Sequence, residues 1–253
     1  MHVGDIPALY EPINEYKPFG PHIGIVDGPF EYVSVFGTKK IGWPFTTRMT
    51  VVQLANGDLF LHSPIAYAPA LAQHLQGMGI IRHMVSPNRG HYAHIGEWAR
   101  AFPEAVTWAS PGVRERARSQ RIDVRFARNL GPYAPPEWCD EVDQTIIPGA
   151  VLDEVVFFHR ESKTLILADT IVNFEPEKIG RLHCFIARLA GICAPCGGMS
   201  PDIRLAFWPS RRKLRPALER VLSWQPERII LSHGRCFETD GSALIERAFN
   251  GAL

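Results

Sequence analysis

The sequence predicts a mixed α/β fold, and three observations carry that reading. The first third alternates apolar and polar residues in short runs broken by Gly and Pro, as antiparallel strands do. Strand-like and helix-like segments then alternate from Ala68 to Gln120, the order that builds a sheet with helices packed on it. Three strand-like runs also end on side chains able to bind a metal or move a proton. These are the run leading to His91 and His94, the run Thr164–Asp169, and the run Arg228–His233.

Taken in order, residues 1–22 are rich in Pro and Gly, lack periodicity and read as an irregular lead-in. Ile23 to Phe36 predicts two short strands around Asp27-Gly28-Pro29. Thr50–Leu54 and Leu59–His62 flank an Asn56-Gly57 pair, a hairpin signal because Asn and Gly accept the left-handed backbone of a tight turn. Ala68–Gly77 predicts a helix, with Leu71, Leu75 and Met78 near helical spacing. A strand is expected at Ile80–Val85, a helix at Ile95–Phe102 stopped by Pro103, a strand at Ala105–Ala109 and a basic helix at Val113–Gln120. Leu130–Pro136 is a Pro/Gly loop. Asp143–Ile147 reads as a strand closed by Pro148-Gly149, and Glu154–His159 with Thr164–Asp169 as a hairpin. Ile179–Cys196 is less regularly helical, Leu214–Trp224 is amphipathic, Arg228–Ser232 is the last strand and Ser242–Phe249 the last helix. One domain over residues 1–253 is expected.

Composition narrows the function classes. Lys and Arg number 27 against 26 Asp and Glu, so no global field recruits nucleic acid or an anionic membrane. The expected partner is a small-molecule substrate or ligand, with no nucleic acid and no membrane. No apolar run approaches the roughly 20 residues of a membrane span. The N-terminal residues have neither a basic nor an apolar signal region, and five cysteines point to a reducing compartment; a cytoplasmic protein is expected. Cys193 and Cys196 form a C-x-x-C, which is a redox pair, half of a zinc site with Cys184 and His183 nearby, or two ordinary thiols. His62, His159 and His183 lack partner spacing and read as surface or core residues.

The order of features resembles the metallo-β-lactamase superfamily from about Val51 onward: a histidine cluster ending His94-Ile95-Gly96, then Pro148-Gly149, a hairpin ending on Asp169, and Ser232-His233-Gly234. The resemblance implies a four-layer αββα sandwich. Its signature, T-H-x-H-x-D-H-x-G, anchored on His94, puts the middle histidine at His91, the first at Arg89 and the aspartate at Ala93. The mid-chain histidine falls on Ala150, with Glu154 as a nearby substitute. The resemblance therefore implies a reduced site of His91, His94, Asp169 and His233, holding one divalent metal (zinc, or iron or manganese) or none. It implies hydrolysis of an ester, lactone, thioester or phosphoester, with His91 and Asp169 acting in catalysis and Arg89 replacing a missing metal or binding an anionic group. The match is to a divergent, uncharacterised branch, so a metal-free pseudo-enzyme or small-ligand-binding protein is the alternative.

Overall fold

The computed structural model describes residues 8–32, 44–149, 153–207 and 211–249. Two β-sheets lie between helical layers. The larger holds β1 (Tyr16–Gly20), β2 (Ile23–Tyr32), β3 (Pro44–Gln53), β4 (Asp58–His62), β5 (Ile80–Ser86), β6 (Val106–Ala109) and β7 (Arg128–Asn129), in that spatial order. Its first four strands are antiparallel, and β4 to β7 run parallel. The smaller sheet runs β11 (Arg228–Leu231), β10 (Thr164–Leu167), β9 (Glu154–His159), β8 (Val142–Ile147), with β10 and β11 parallel. Helices α1 (Pro69–Met78), α2 (Ile95–Ala101) and α3 (Val113–Ser119) follow strands of the first sheet. After β10 come α4 (Arg181–Leu189), α5 (Pro201–Phe207), α6 (Arg211–Ser223) and finally α7 (Gly241–Phe249).

The strand period of two explains the layering. On β4, Leu59 and Leu61 face Leu71, Leu75 and Trp98 of the helices, while Phe60 faces the other way. On β10 and β11, Leu165, Leu167, Ile229 and Leu231 pack under α6 and α7. Ile166 and Ile230 instead meet Phe60, Trp108 and Phe157 between the sheets. Each sheet is thus apolar on both faces, as a four-layer αββα sandwich requires. His62 continues the alternation into the inter-sheet layer, edge-on to Phe157 with ring centroids 5.5 Å apart.

Several elements differ from the sequence reading. Tyr16–Gly20, taken as lead-in, is a strand paired antiparallel with β2. Pro18 obscured it, but β1 is an edge strand, where a missing N–H is tolerated. Asp27-Gly28-Pro29 is not a turn: β2 runs through it, with the register shifting between Asp27 and Phe30. The helix expected at Ile179–Cys196 ends at Leu189, before Gly191 with φ 71°. Helix α5 and the short β7 had no signal in the pattern. The Asn56-Gly57 hairpin is present, with Gly57 at φ 86°. Val33–Phe36, Ala150 and the first seven residues of the lead-in lie outside the described residues.

Candidate metal centre

Parallel pairing brings the carboxyl ends of β4 and β5 together, and likewise those of β10 and β11. The residues just past these ends meet in one place. His91 Nε2 lies 3.1 Å from Asp169 Oδ1, and His233 Nε2 lies 3.2 Å from the same oxygen. One ligand atom from each of the three residues falls within 4.8 Å of the others. Both imidazoles are 12% exposed and Asp169 is 24% exposed, so the group opens on solvent from one side. That side is a cleft of about 300 Å³, walled by Ser63, Pro64, Ile65, Tyr92, His94 and Glu31 among others.

Each imidazole is oriented from behind. His233 Nδ1 is 2.8 Å from the Thr46 carbonyl oxygen, which can only accept, so the proton sits on Nδ1 and Nε2 turns towards Asp169. His91 Nδ1 is 2.6 Å from Ser63 Oγ. Ser63 reaches this position through a left-handed backbone, φ 54°, uncommon for a residue with a side chain and frequent at functional sites. Gly234, at φ 88°, is required after His233: a Cβ there would fall 2.1 Å from the Asn173 carbonyl oxygen. Arg48 on β3 secures the same turn. Its buried guanidinium pairs with Asp27 at 2.7 Å and donates to the carbonyls of Leu231 (2.7 Å) and Gly234 (2.6 Å). The first sheet therefore positions His233, carried by the second.

Burial alone would push the Asp169 carboxyl up, but the His91 and His233 imidazoles outweigh it and hold it well below the usual carboxylate range. Burial would likewise push His91 down, and the Asp169 charge and hydrogen bond hold it above the ordinary value. An anionic carboxylate facing two Nε2 atoms is a donor set that suits a cation or a proton.

A second cluster lies on the other side of Asp169. Asn88 Nδ2 donates to Asp169 Oδ2 at 2.8 Å, and Asn88 Oδ1 accepts the Gly90 N–H at 2.7 Å. Glu154, fully buried, accepts the backbone N–H groups of Ala168, Asp169 and Thr170 at 2.7, 2.8 and 2.9 Å. Burial and the nearby Asp169 charge raise the Glu154 pKa, outweighing these donors. Sequence reasoning named Glu154 only as a stand-in ligand; here it braces the turn that presents Asp169. Its role, like that of Arg48, had no local signal because the partners are remote in sequence.

Two expected site residues stand elsewhere. His94 does not join the cluster: its Nε2 is 2.9 Å from Glu31 and its Nδ1 is 3.3 Å from Glu97. It lines the cleft but is held by these carboxylates, which keep its pKa above the ordinary value although burial works against them. Arg89 does not point into the site: a Cβ at Gly112 would fall 2.3 Å from its guanidinium, so the side chain lies along the start of α3. Anchoring the signature on His91, the histidine that meets Asp169 and His233, moves it three residues back. Its aspartate position becomes Gly90, and its middle and first histidine positions become Asn88 and Ser86. Cys193 is buried, with its sulfur 3.9 Å from the Cys184 carbonyl oxygen, while Cys196 is exposed; neither belongs to a metal-ligand cluster among the described residues.

The model of a domain of unknown function, DUF4336, matches residues 41–183, more than half of the chain. The chain belongs to this family. A search of curated proteins finds no match. Solved structures give the fold. The DIM-1 metallo-β-lactamase exposed to ceftazidime superposes with a TM-score of 0.62 at 15% identity, covering 98% of both chains. FIM-1 from Pseudomonas aeruginosa, in a mono-zinc form, gives 0.57 at 14% identity over 98% of this chain and 96% of that one. The metal-soaked Flv1 flavodiiron core from Synechocystis sp. PCC6803 gives 0.61 at 11% identity, covering 98% of this chain and 61% of that chain. The DUF4336 chain thus has the metallo-β-lactamase fold. Among its described residues no helix is long and apolar enough to cross a membrane.

Proposed function

We propose that the protein is a metal-dependent hydrolase with a single divalent ion held by His91, Asp169 and His233. The observation that carries this reading is His233. Its Nδ1–H is held by the Thr46 carbonyl, which turns its Nε2 to Asp169 Oδ1 at 3.2 Å, the same oxygen that His91 Nε2 faces at 3.1 Å. Two nitrogens and one carboxylate oxygen, each oriented from behind, suit zinc, with iron or manganese as further candidates. Bound there, such an ion would polarise a carbonyl or phosphoryl oxygen and make water a better nucleophile.

The protein's own contribution is positional. Thr46 and Ser63 fix the imidazole orientations, Asn88 fixes the carboxylate, and Pro64 and Ile65 supply an apolar wall that holds part of a small substrate away from water. The substrate class is an ester, lactone, thioester or phosphoester. The test is a panel of such activated esters, assayed with the zinc-loaded protein and with its His233→Ala variant. Turnover by the first that vanishes in the second supports the reading, and equal rates sink it.

One observation favours a metal-free ligand-binding protein instead: at 3.1 Å, His91 and Asp169 already satisfy each other by an ordinary hydrogen bond. That reading predicts a thermal midpoint indifferent to chelator and to added zinc. A rise of the midpoint on metal addition excludes it.

A further inference from the structure

The surface after β10 is unlike the rest of the molecule. Four exposed large apolar side chains fall within residues 185–205: Phe185 (61% exposed), Ile186 (47%), Leu189 (75%) and Leu205 (74%). On α4, Leu189 lies four residues from Phe185 and three from Ile186, so it shares a helical face with each. That face is turned to solvent. Among the described side chains of α4, Ala187 is buried in a small cluster with Ile179 and Cys193, and Cys184 packs against it. An amphipathic helix normally buries its apolar stripe against the core; here large apolar groups are left outside.

The charge of the same stretch is segregated. Residues 180–216 carry seven Lys and Arg against one Asp, seven minus one giving +6, in a chain whose total is +1. Exposed Arg188 adjoins Leu189, exposed Arg204 adjoins Leu205, and α6 exposes Arg212 and Lys213, with Arg215 engaged by Glu219 at 3.0 Å. The balanced whole-chain charge, which argues against a membrane partner, conceals this block.

We infer that this face docks on an anionic lipid surface. Exposed Phe and Leu side chains interleaved with cations, in short helices, are the composition of segments that lie in the plane of a bilayer interface. The apolar groups enter the headgroup–acyl boundary while arginine stems extend along it and their heads reach the phosphates. A second copy of the chain is a poor occupant, because a symmetric contact through Phe185 and Leu189 would bring the neighbouring Arg188 of one copy against that of the other. Nucleic acid would account for the cations but leaves Phe185 and Leu189 in water. The contact requires nothing of the metal centre.

The test is co-sedimentation of the full chain with phosphatidylcholine vesicles, with and without roughly 30% phosphatidylglycerol. Binding to the anionic vesicles should be at least about tenfold stronger than to the neutral ones, and should weaken about fivefold or more in roughly 0.5 M salt. The double variant Phe185→Ser/Leu189→Ser should lose about tenfold or more, and Arg188→Glu about threefold. Both should keep the wild-type thermal midpoint, because these side chains are exposed. Ile80→Ser, which removes another exposed apolar side chain (58%) in the larger sheet, should bind as wild type. Equal binding to both vesicle types, no binding to either, or loss of a dimer by light scattering in Phe185→Ser/Leu189→Ser would overturn the inference.

Discussion

Asp169 separates two polar positions that share its carboxylate and have gone opposite ways. On the Oδ1 side stand His91 and His233, two ring nitrogens aimed at one oxygen and both oriented from behind. On the Oδ2 side stand Asn88 and Glu154, an amide and a buried carboxyl engaged by hydrogen bonds to the protein itself. On the first side two ring nitrogens converge on one carboxylate oxygen, a group whose atoms lie close enough to share a cation. The second has supplied its own donors, with an N–H where an ion would otherwise satisfy the oxygens. A carboxylate can thus be engaged on both oxygens without leaving a void, provided each buried acceptor gains a donor.

This contrast can be tested from both sides. The largest stability effect should come from Glu154→Ala, which strands three buried backbone N–H groups and should cost about 3 kcal/mol or more in chemical denaturation. At a temperature where it remains folded, its metal content should match wild type, because Glu154 lies on the far side of Asp169 from His91 and His233. Asp169→Asn should behave in the opposite way: nearly isosteric, it should retain most stability yet bind zinc more than about 100-fold more weakly by competition with a chromogenic chelator.

His62 sharpens the comparison through pH. It is fully buried beside Phe157, neither ring nitrogen has a hydrogen-bond partner among the described residues, and burial pushes its pKa down to about 3. Because the folded value lies below the unfolded one, the unfolded chain binds the extra proton. Stability should therefore fall as pH drops below about 6.5, with a slope approaching 1.4 kcal/mol per pH unit until about pH 3. His62→Leu should remove that part of the slope in denaturation curves collected between pH 6.5 and 4.5; an unchanged slope would assign it to other groups. The smallest effect belongs to the His94 clamp. Its pKa is raised, so its contribution is present at low pH and lost as pH rises through the folded value. Glu31 is 47% exposed, so Glu31→Gln should cost less than about 1 kcal/mol at pH 6 and almost nothing at pH 8.5.

Much of this was legible in the chain. Alternating apolar runs, the Asn56-Gly57 turn and the Pro and Gly stops mark most strands because those signals are local. Asp169 and His233 were legible because each closes a β-branched, apolar run at the end where functional groups gather. The register of the histidine signature was not. His91 and His94 are three residues apart at the entry to a short helix, and only the distance from Asp169 tells which of the two meets it. Arg89 was misread for a related reason: its direction depends on the open backbone at Gly112, which is remote in sequence and carries no charge to announce the contact. Arg48 and Glu154, the two buried charged groups that brace the site, act through backbone atoms of distant strands. No periodicity or motif encodes such partners.

The central claim is that one side of Asp169 holds an ion and the other does not. The most direct measurement is calorimetric titration of zinc into metal-stripped protein, read for stoichiometry. One equivalent, abolished in Asp169→Asn and retained in Glu154→Gln, is the predicted result. Two equivalents, or none, would contradict the account.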